Sequence, residues 1–150
     1  MESMLHLEDF SQGQTFSLGT FSLSEEEIVE FARHYDPQPF HLDPVAATQS
    51  IFGSVIASGW QTCAEVMRLN CEAIFLKTAG LGSPGVDELR WKRPVRPNDK
   101  INAYTEVVSV RPSSSKPDRG LITLRSTAVN QLGGEVLSMC SLFMVKRQST

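Results

Sequence analysis

At 150 residues the chain has the length of one domain, 1–150, with room for a real hydrophobic core, and 41% apolar with 21% charged residues is the balance of an ordinary globular protein. A formal net charge of −3 and a sequence pI near 5.6 exclude nucleic acid as the main partner. No signal peptide is expected from an N-terminus that carries Glu2, Glu8 and Asp9. No membrane span is expected either, because the longest apolar stretch, 51–79, is interrupted by Glu65, Arg68, Glu72 and Lys77, so the reading is cytoplasmic.

Alternating apolar positions at Phe16, Leu18, Phe21 and Leu23, broken by Gly13 and Gly19, predict a first strand. Ser24 with Glu27 three residues on forms a capping box, and the acidic run Glu25-Glu26-Glu27 suits a helix N-terminus. The helix should run from 25 to about 34 and stop at Asp36-Pro37, burying Ile28 and Phe31. Asp43-Pro44 predicts a second, short helix over 45–50, with Asp43 as N-cap and Pro44 in the first turn. A long helix should begin at Ser58-Gly59-Trp60 and run about twenty residues to Gly80. Trp60, Ala64, Met67, Cys71, Ile74 and Phe75 mark its core-facing stripe, and Val66, Leu69 and Ala73 widen it.

After this helix the pattern changes to strands over 86–95, 100–110, 120–130 and 135–145, rich in Val, Ile, Thr, Leu and Tyr. Arg96-Pro97-Asn98-Asp99 and Gly133-Gly134 read as turns, and 112–118 as a longer polar loop. Helices followed by a run of strands is the α+β pattern with an antiparallel sheet. About five strands wrapped around one long central helix is the expected architecture. One helix cannot cover both faces of such a sheet, so either the other face is solvated or a second subunit closes the structure, and a homodimer is the minimum expected.

The segment Tyr35-Asp36-Pro37-Gln38-Pro39-Phe40-His41 carries a carboxylate and an imidazole stiffened by two prolines. A spacing of five puts the two on different faces of a helix, so they can meet only across a bend. Two readings stand on the residues alone: a minimal acid/base pair, or a helix end followed by a satisfied buried histidine. The three cysteines, Cys63, Cys71 and Cys140, have no CxxC or zinc-like His spacing and read as core thiols, so no metal site is expected. His34 reads as a helix C-terminal residue and His6 as a surface one.

The chain resembles the MaoC-like acyl dehydratases, the hot-dog-fold family that includes the R-specific enoyl-CoA hydratases. Asp36, Pro39, His41 and Asp43 match the family's hydratase motif, while Tyr35, Gln38 and Phe40 stand where Gly, Asn and a small aliphatic residue are usual. Phe52-Gly53-Ser54-Val55-Ile56-Ala57-Ser58-Gly59 is a second match. Arg93-Pro94-Val95-Arg96-Pro97-Asn98-Asp99 is a third, with Asn98 where Gly is common.

The resemblance implies reversible addition of water to a trans-2-enoyl thioester, giving a 3-hydroxyacyl thioester, carried on coenzyme A or an acyl carrier protein, with no cofactor beyond the coenzyme A of the substrate itself. It makes Asp36 and His41 the pair that activates the water. Gly59, at the start of the long helix, would offer its backbone N–H to the thioester oxygen. Ser58 reads either as a substrate contact or as the N-cap of that helix. Phe40, Phe52 and Trp60 are candidates for the acyl pocket, against a reading as core aromatics. Arg93 and Arg96, in a basic cluster with Arg90 and Lys92, are candidates for the coenzyme A phosphates, against a solvated strand face. The competing readings are a hot-dog thioesterase and a catalytically silent acyl-thioester-binding subunit.

Overall fold

The computed structural model describes residues 3–149; Glu2, counted above in the acidic N-terminus, lies outside the described residues. Six strands form one antiparallel sheet: β1 (Thr15–Phe21), β2 (Gly80–Gly82), β3 (Val86–Trp91), β4 (Ile101–Pro112), β5 (Arg119–Val129) and β6 (Glu135–Lys146). The spatial order is β1-β4-β5-β6, and the last position is shared by β2 and β3, which pair with successive stretches of β6. The sheet is therefore five strands wide, and the extra strand is a short piece split off by Ser83-Pro84-Gly85.

Alternation along β4 builds one part of the sheet's inner face. On β4, Ile101, Ala103, Thr105 and Val107 are buried while Asn102 and Tyr104 are exposed. On β5, Ile122, Leu124, Ser126 and Ala128 join them, and on β6 Leu137, Met139 and Val145. The β5–β6 hairpin closes through Asn130, whose side-chain oxygen accepts from Leu132 N–H and Gly134 N–H, both at 3.0 Å, with Gly133 at φ 79°. In the turn before β4, Asn98 has φ 64°, the left-handed region that Asn tolerates and Gly enters freely.

Among the described residues there are four α-helices, α1 (Glu25–Tyr35), α2 (Pro39–Leu42), α3 (Pro44–Thr48) and α4 (Gly59–Ala73), with a 3-10 turn over Leu7–Asp9 near the start. The capping box forms in full at α1: Glu27 N–H donates to Ser24 Oγ at 3.1 Å and Ser24 N–H to Glu27 Oε1 at 3.0 Å. Asp43 caps α3 by accepting from Val45 N–H at 3.0 Å. The sheet curls around α4, the hot-dog arrangement.

Two expectations about α4 are corrected. It is 15 residues long rather than about twenty. Ile74 leaves the helix at φ −129°, a 3-10 turn follows over Phe75–Lys77, and the next backbone groups pair with the N-terminal segment (Leu5 N–H to Lys77 O, 2.7 Å; Ala79 N–H to Leu5 O, 2.8 Å). These bonds satisfy carbonyl and amide groups that a longer helix would have used itself.

The second correction is the buried face. Gln61, Thr62, Val66, Leu69 and Asn70 face the sheet and α1, whereas Trp60, Ala64 and Met67 are exposed. Asn70 is accommodated by partners, whereas Gln61 Oε1 is buried with none among the described residues. Asn70 Nδ2 donates to Ser126 Oγ at 3.0 Å, Thr105 Oγ1 donates to Asn70 Oδ1 at 2.8 Å, and the Thr105 and Ser126 hydroxyls meet at 2.7 Å. A closed ring of this kind fixes one register of helix on sheet, because slippage would strand several buried polar groups. Gln61 Nε2 donates to Glu27 O at 3.1 Å and ties α4 to α1. Among the described residues no helix is long and apolar enough to cross a membrane.

Candidate active site

Pro37 bars Asp36 from helical backbone, and Asp36 takes φ −155°, ψ 65° as the C-cap of α1. The chain reverses at once: Gln38 N–H donates to Asp36 O at 2.7 Å. Pro39 then opens the single-turn helix α2, which carries His41. The bend required by the spacing is thus a helix end, a tight turn and one further helical turn. It brings His41 Nε2 to 3.2 Å from Asp36 Oδ2.

Segment 55–58 supports the pair from behind. His41 Nδ1 lies 2.7 Å from Ile56 O, and Ile56 N–H donates to Phe40 O at 3.1 Å. A carbonyl can only accept, so Nδ1 carries the proton and, in the neutral ring, Nε2 presents its lone pair toward Asp36. Ser58, fully buried, caps α4 by accepting from Trp60 N–H at 3.3 Å, and its hydroxyl donates to Asp36 Oδ2 at 2.7 Å. Gln38 Nε2 donates to Asp36 Oδ1 at 2.6 Å.

Partial burial pushes the Asp36 carboxyl up, but the hydrogen bonds from Gln38 and Ser58, with the nearby His41, outweigh it and hold the group below the usual carboxylate range. Asp36 is therefore an ionised acceptor at neutral pH. With the ring protonated, Nε2 donates to Asp36 Oδ2 across the 3.2 Å; with the ring neutral, the lone pair and the carboxylate oxygen are two acceptors, and a water molecule that donates one proton to each satisfies both.

Asp36 and His41 open onto a cavity of about 500 Å³, whose walls include Gln38, Phe52, Gly59, Trp60, Trp91 and Arg93. Gly59 is the first residue of α4, and its N–H finds no hydrogen-bond acceptor among the described residues. Carboxylate, imidazole and a free helix-start amide thus converge on one space. Seven of the residues singled out in the sequence line it: Asp36, His41, Phe52, Gly59, Trp60, Lys92 and Arg93.

Three others lie elsewhere. Ser58 sits behind Asp36. Phe40 packs edge-on against the His41 ring, centroids 4.5 Å apart, and against Phe52 at 5.6 Å. Arg96 reaches away from the cavity: its Nη1 donates to Phe52 O at 2.6 Å and Ser54 Oγ at 2.7 Å, holding the loop that carries Phe52. Of the basic cluster, Lys92 pairs with Glu135 at 2.6 Å, and Arg93 donates to Glu135 O at 3.0 Å. Two site residues escaped the sequence reading. Gln38 was seen only as a departure from the family motif, and Trp91 only as part of a strand. Its position two residues before Arg93, at the strand's end, was the available signal.

The family model described as "MaoC like domain" matches residues 9–130. The chain belongs to the MaoC-like domain family. A MaoC-like dehydratase from Rhodospirillum rubrum is 38% identical and superposes with a TM-score of 0.89 over 97% of this chain and 99% of its own. The R-hydratase PhaJ1 of Pseudomonas aeruginosa is 25% identical, with a TM-score of 0.73 over 97% of this chain and 88% of its own. Over 91 residues the chain is 31% identical to the 3-hydroxyacyl-thioester dehydratase Z of Mycobacterium tuberculosis, covering 59% of this chain and 60% of that protein. This MaoC-like protein is accordingly an enzyme of the dehydratase/hydratase class.

The three cysteines of the MaoC-like chain are free thiols at different depths. Cys140 is buried, while Cys63 and Cys71 are half-buried rather than core. Burial pushes the Cys63 thiol up, against a smaller opposing effect of the Trp91 indole. His34 lies in the last turn of α1 as read from sequence; His6 is half-buried, its Nδ1 3.0 Å from Met4 O.

Proposed function

We propose that the enzyme hydrates trans-2-enoyl thioesters, coenzyme A thioesters among them, and dehydrates the corresponding 3-hydroxyacyl thioesters. The observation that carries this is the convergence of Asp36, His41 and the free Gly59 N–H on one cavity. A water held between Asp36 and His41 Nε2 loses a proton to the pair as its oxygen bonds to the β-carbon. The electron pair of the double bond moves onto the thioester oxygen, where the Gly59 N–H at the positive end of α4 stabilises it. Return of the proton to the α-carbon completes the addition. Dehydration is the same path reversed. The Nδ1–H bond to Ile56 O favours His41 as the group that accepts the water proton, with Asp36 orienting the water.

Arg93 faces the cavity with a charge that no carboxylate neutralises among the described residues, so it is the cation best placed for a coenzyme A phosphate. Arg96 stands beyond the lining and would serve the same ligand only from farther out. A second copy of this chain is the expected partner. The outer edge of β3 is unpaired, and Trp60, Ala64 and Met67 expose an apolar side of α4 beside Trp91, the kind of edge and face that association covers.

Crotonyl-CoA tests the activity. Loss of enoyl absorbance without free thiol is the expected result. Release of thiol would identify a thioesterase, and tight binding without any change in the substrate would identify a silent binding subunit.

A further inference from the structure

The indole of Trp91 lies directly on Gly59. A Cβ placed on Gly59 would stand 2.3 Å from Trp91 Cε2, 2.5 Å from Cδ2 and 2.6 Å from Nε1, so the ring fills the space that the missing side chain leaves. The indole Nε1–H donates to Gly59 O at 3.0 Å, and the Trp60 ring meets it edge-on with centroids 5.0 Å apart. Trp91 nevertheless remains 45% exposed and lines the same cavity as Asp36 and His41. The ring is therefore pinned at one point and along one edge while the remainder forms a flat wall beside the Gly59 amide.

We infer that Trp91 is a specificity-determining residue, and that its indole restricts the substrate to thioesters whose acyl chain is unbranched at the α-carbon. This rests on the proposed binding of the thioester oxygen at the Gly59 N–H. With the oxygen there, the carbonyl carbon is about one bond length farther out, and the α-carbon is its immediate neighbour. Of the carbonyl carbon's two neighbours, the α-carbon is placed toward the indole rather than the sulfur, because Trp91 shares the cavity of Asp36 and His41, where the double bond must lie. A conjugated enoyl thioester is planar and lies flat against an aromatic ring. A methyl group on the α-carbon adds bulk at the point where the wall is held by Gly59, Trp60 and a hydrogen bond, and where it has least freedom to retreat.

The test measures binding of crotonyl-CoA and 2-methylcrotonyl-CoA by calorimetry in the Asp36→Asn background, which suppresses turnover if the pair acts as proposed. The full chain with Trp91 should favour crotonyl-CoA by about tenfold or more, the discrimination a single methyl group produces in a formed pocket. Trp91→Ala should erase that preference, and Trp91→Phe, which keeps a flat ring without the N–H, should retain most of it. If Trp91→Ala does not fold, Trp91→Leu replaces it, with the same loss expected because the flat wall is gone. A preference unchanged by these substitutions, or equal loss of affinity for both ligands, would overturn the inference and leave the indole as a prop for the helix end. Absence of binding to either ligand would overturn it too. Selective binding by a protein whose Asp36 form leaves crotonyl-CoA unchanged would remove the hydratase reading and keep the role of Trp91.

Discussion

Ser58→Ala separates the structural and electrostatic parts of the site, because one buried hydroxyl performs two tasks. It accepts from Trp60 N–H as the cap of α4 and donates to Asp36 Oδ2 at 2.7 Å. Loss of an N-cap costs about 0.5–2 kcal/mol. Loss of a hydrogen bond to a charged group costs about 1.5–3 kcal/mol. Both bonds share one oxygen and do not add fully, so a total of about 3 kcal/mol is expected, or a Tm lowered by roughly 6–12 °C in a chain of this size. The loss should depend on pH. Asp36 is held below its ordinary range in the folded protein, so it stabilises the fold above its unfolded pKa and ceases to do so as pH falls through the folded one. The Tm gap between wild type and Ser58→Ala should therefore be widest at neutral pH and narrow in acid toward the contribution of the cap alone. The same substitution should move the acid limb of the kcat/KM profile to higher pH. Thermal melts across pH with hydration rates on crotonyl-CoA measure both. A Tm gap that is constant with pH, together with an unmoved acid limb, would refute the claim that Ser58 holds Asp36 in its ionised form.

Gly59→Ala should displace the Trp91 indole, changing tryptophan fluorescence and lowering turnover, and Trp91→Leu in the same chain should recover part of the loss if that clash is the cause. Arg93→Glu should raise KM for a coenzyme A thioester but leave a pantetheine thioester unchanged; equal effects on both would argue against a phosphate contact. Arg96→Met, which frees the Phe52–Ser54 loop, should impair both thioesters alike, and an effect confined to the coenzyme A form would return Arg96 to phosphate binding. Asn70→Ala should destabilise the protein by about 2–4 kcal/mol in chemical denaturation, because Thr105 and Ser126 lose their common partner at full burial.

The elements with local causes were legible in the sequence. Ser24 and Glu27 close the capping box they spell, Asp43 caps α3, Pro37 ends α1, and the stretches rich in Val, Ile and Thr become β4, β5 and β6. The prolines and the spacing of five leave Asp36 and His41 open between an acid/base pair and a helix end with a buried histidine, and it is the resemblance to the MaoC-like dehydratases that singles them out as a pair. What stayed hidden depends on distant partners. The apolar side of α4 was assigned to the core because hydropathy ranks Trp60 and Met67 above Thr62 and Asn70. The chain instead buries Asn70 against Thr105 and Ser126, whose hydroxyls lie 35 and 56 residues farther on, and leaves Trp60 exposed. Arg96 was read for its charge, yet its guanidinium meets backbone and hydroxyl oxygens 44 and 42 residues away. Trp91 looked like any strand aromatic until Gly59 was found beneath it.

The claim on which the chemistry rests is that Asp36 and His41 act on one shared water. Kinetics of Asp36→Asn, His41→Gln and the double variant on crotonyl-CoA test it most directly. Two parts of one device predict that each single substitution lowers kcat by about 10²–10⁴ with KM little changed, and that the double variant is no worse than the poorer single one. Near-normal turnover in either single variant, or single losses that multiply in the double, would contradict the shared water.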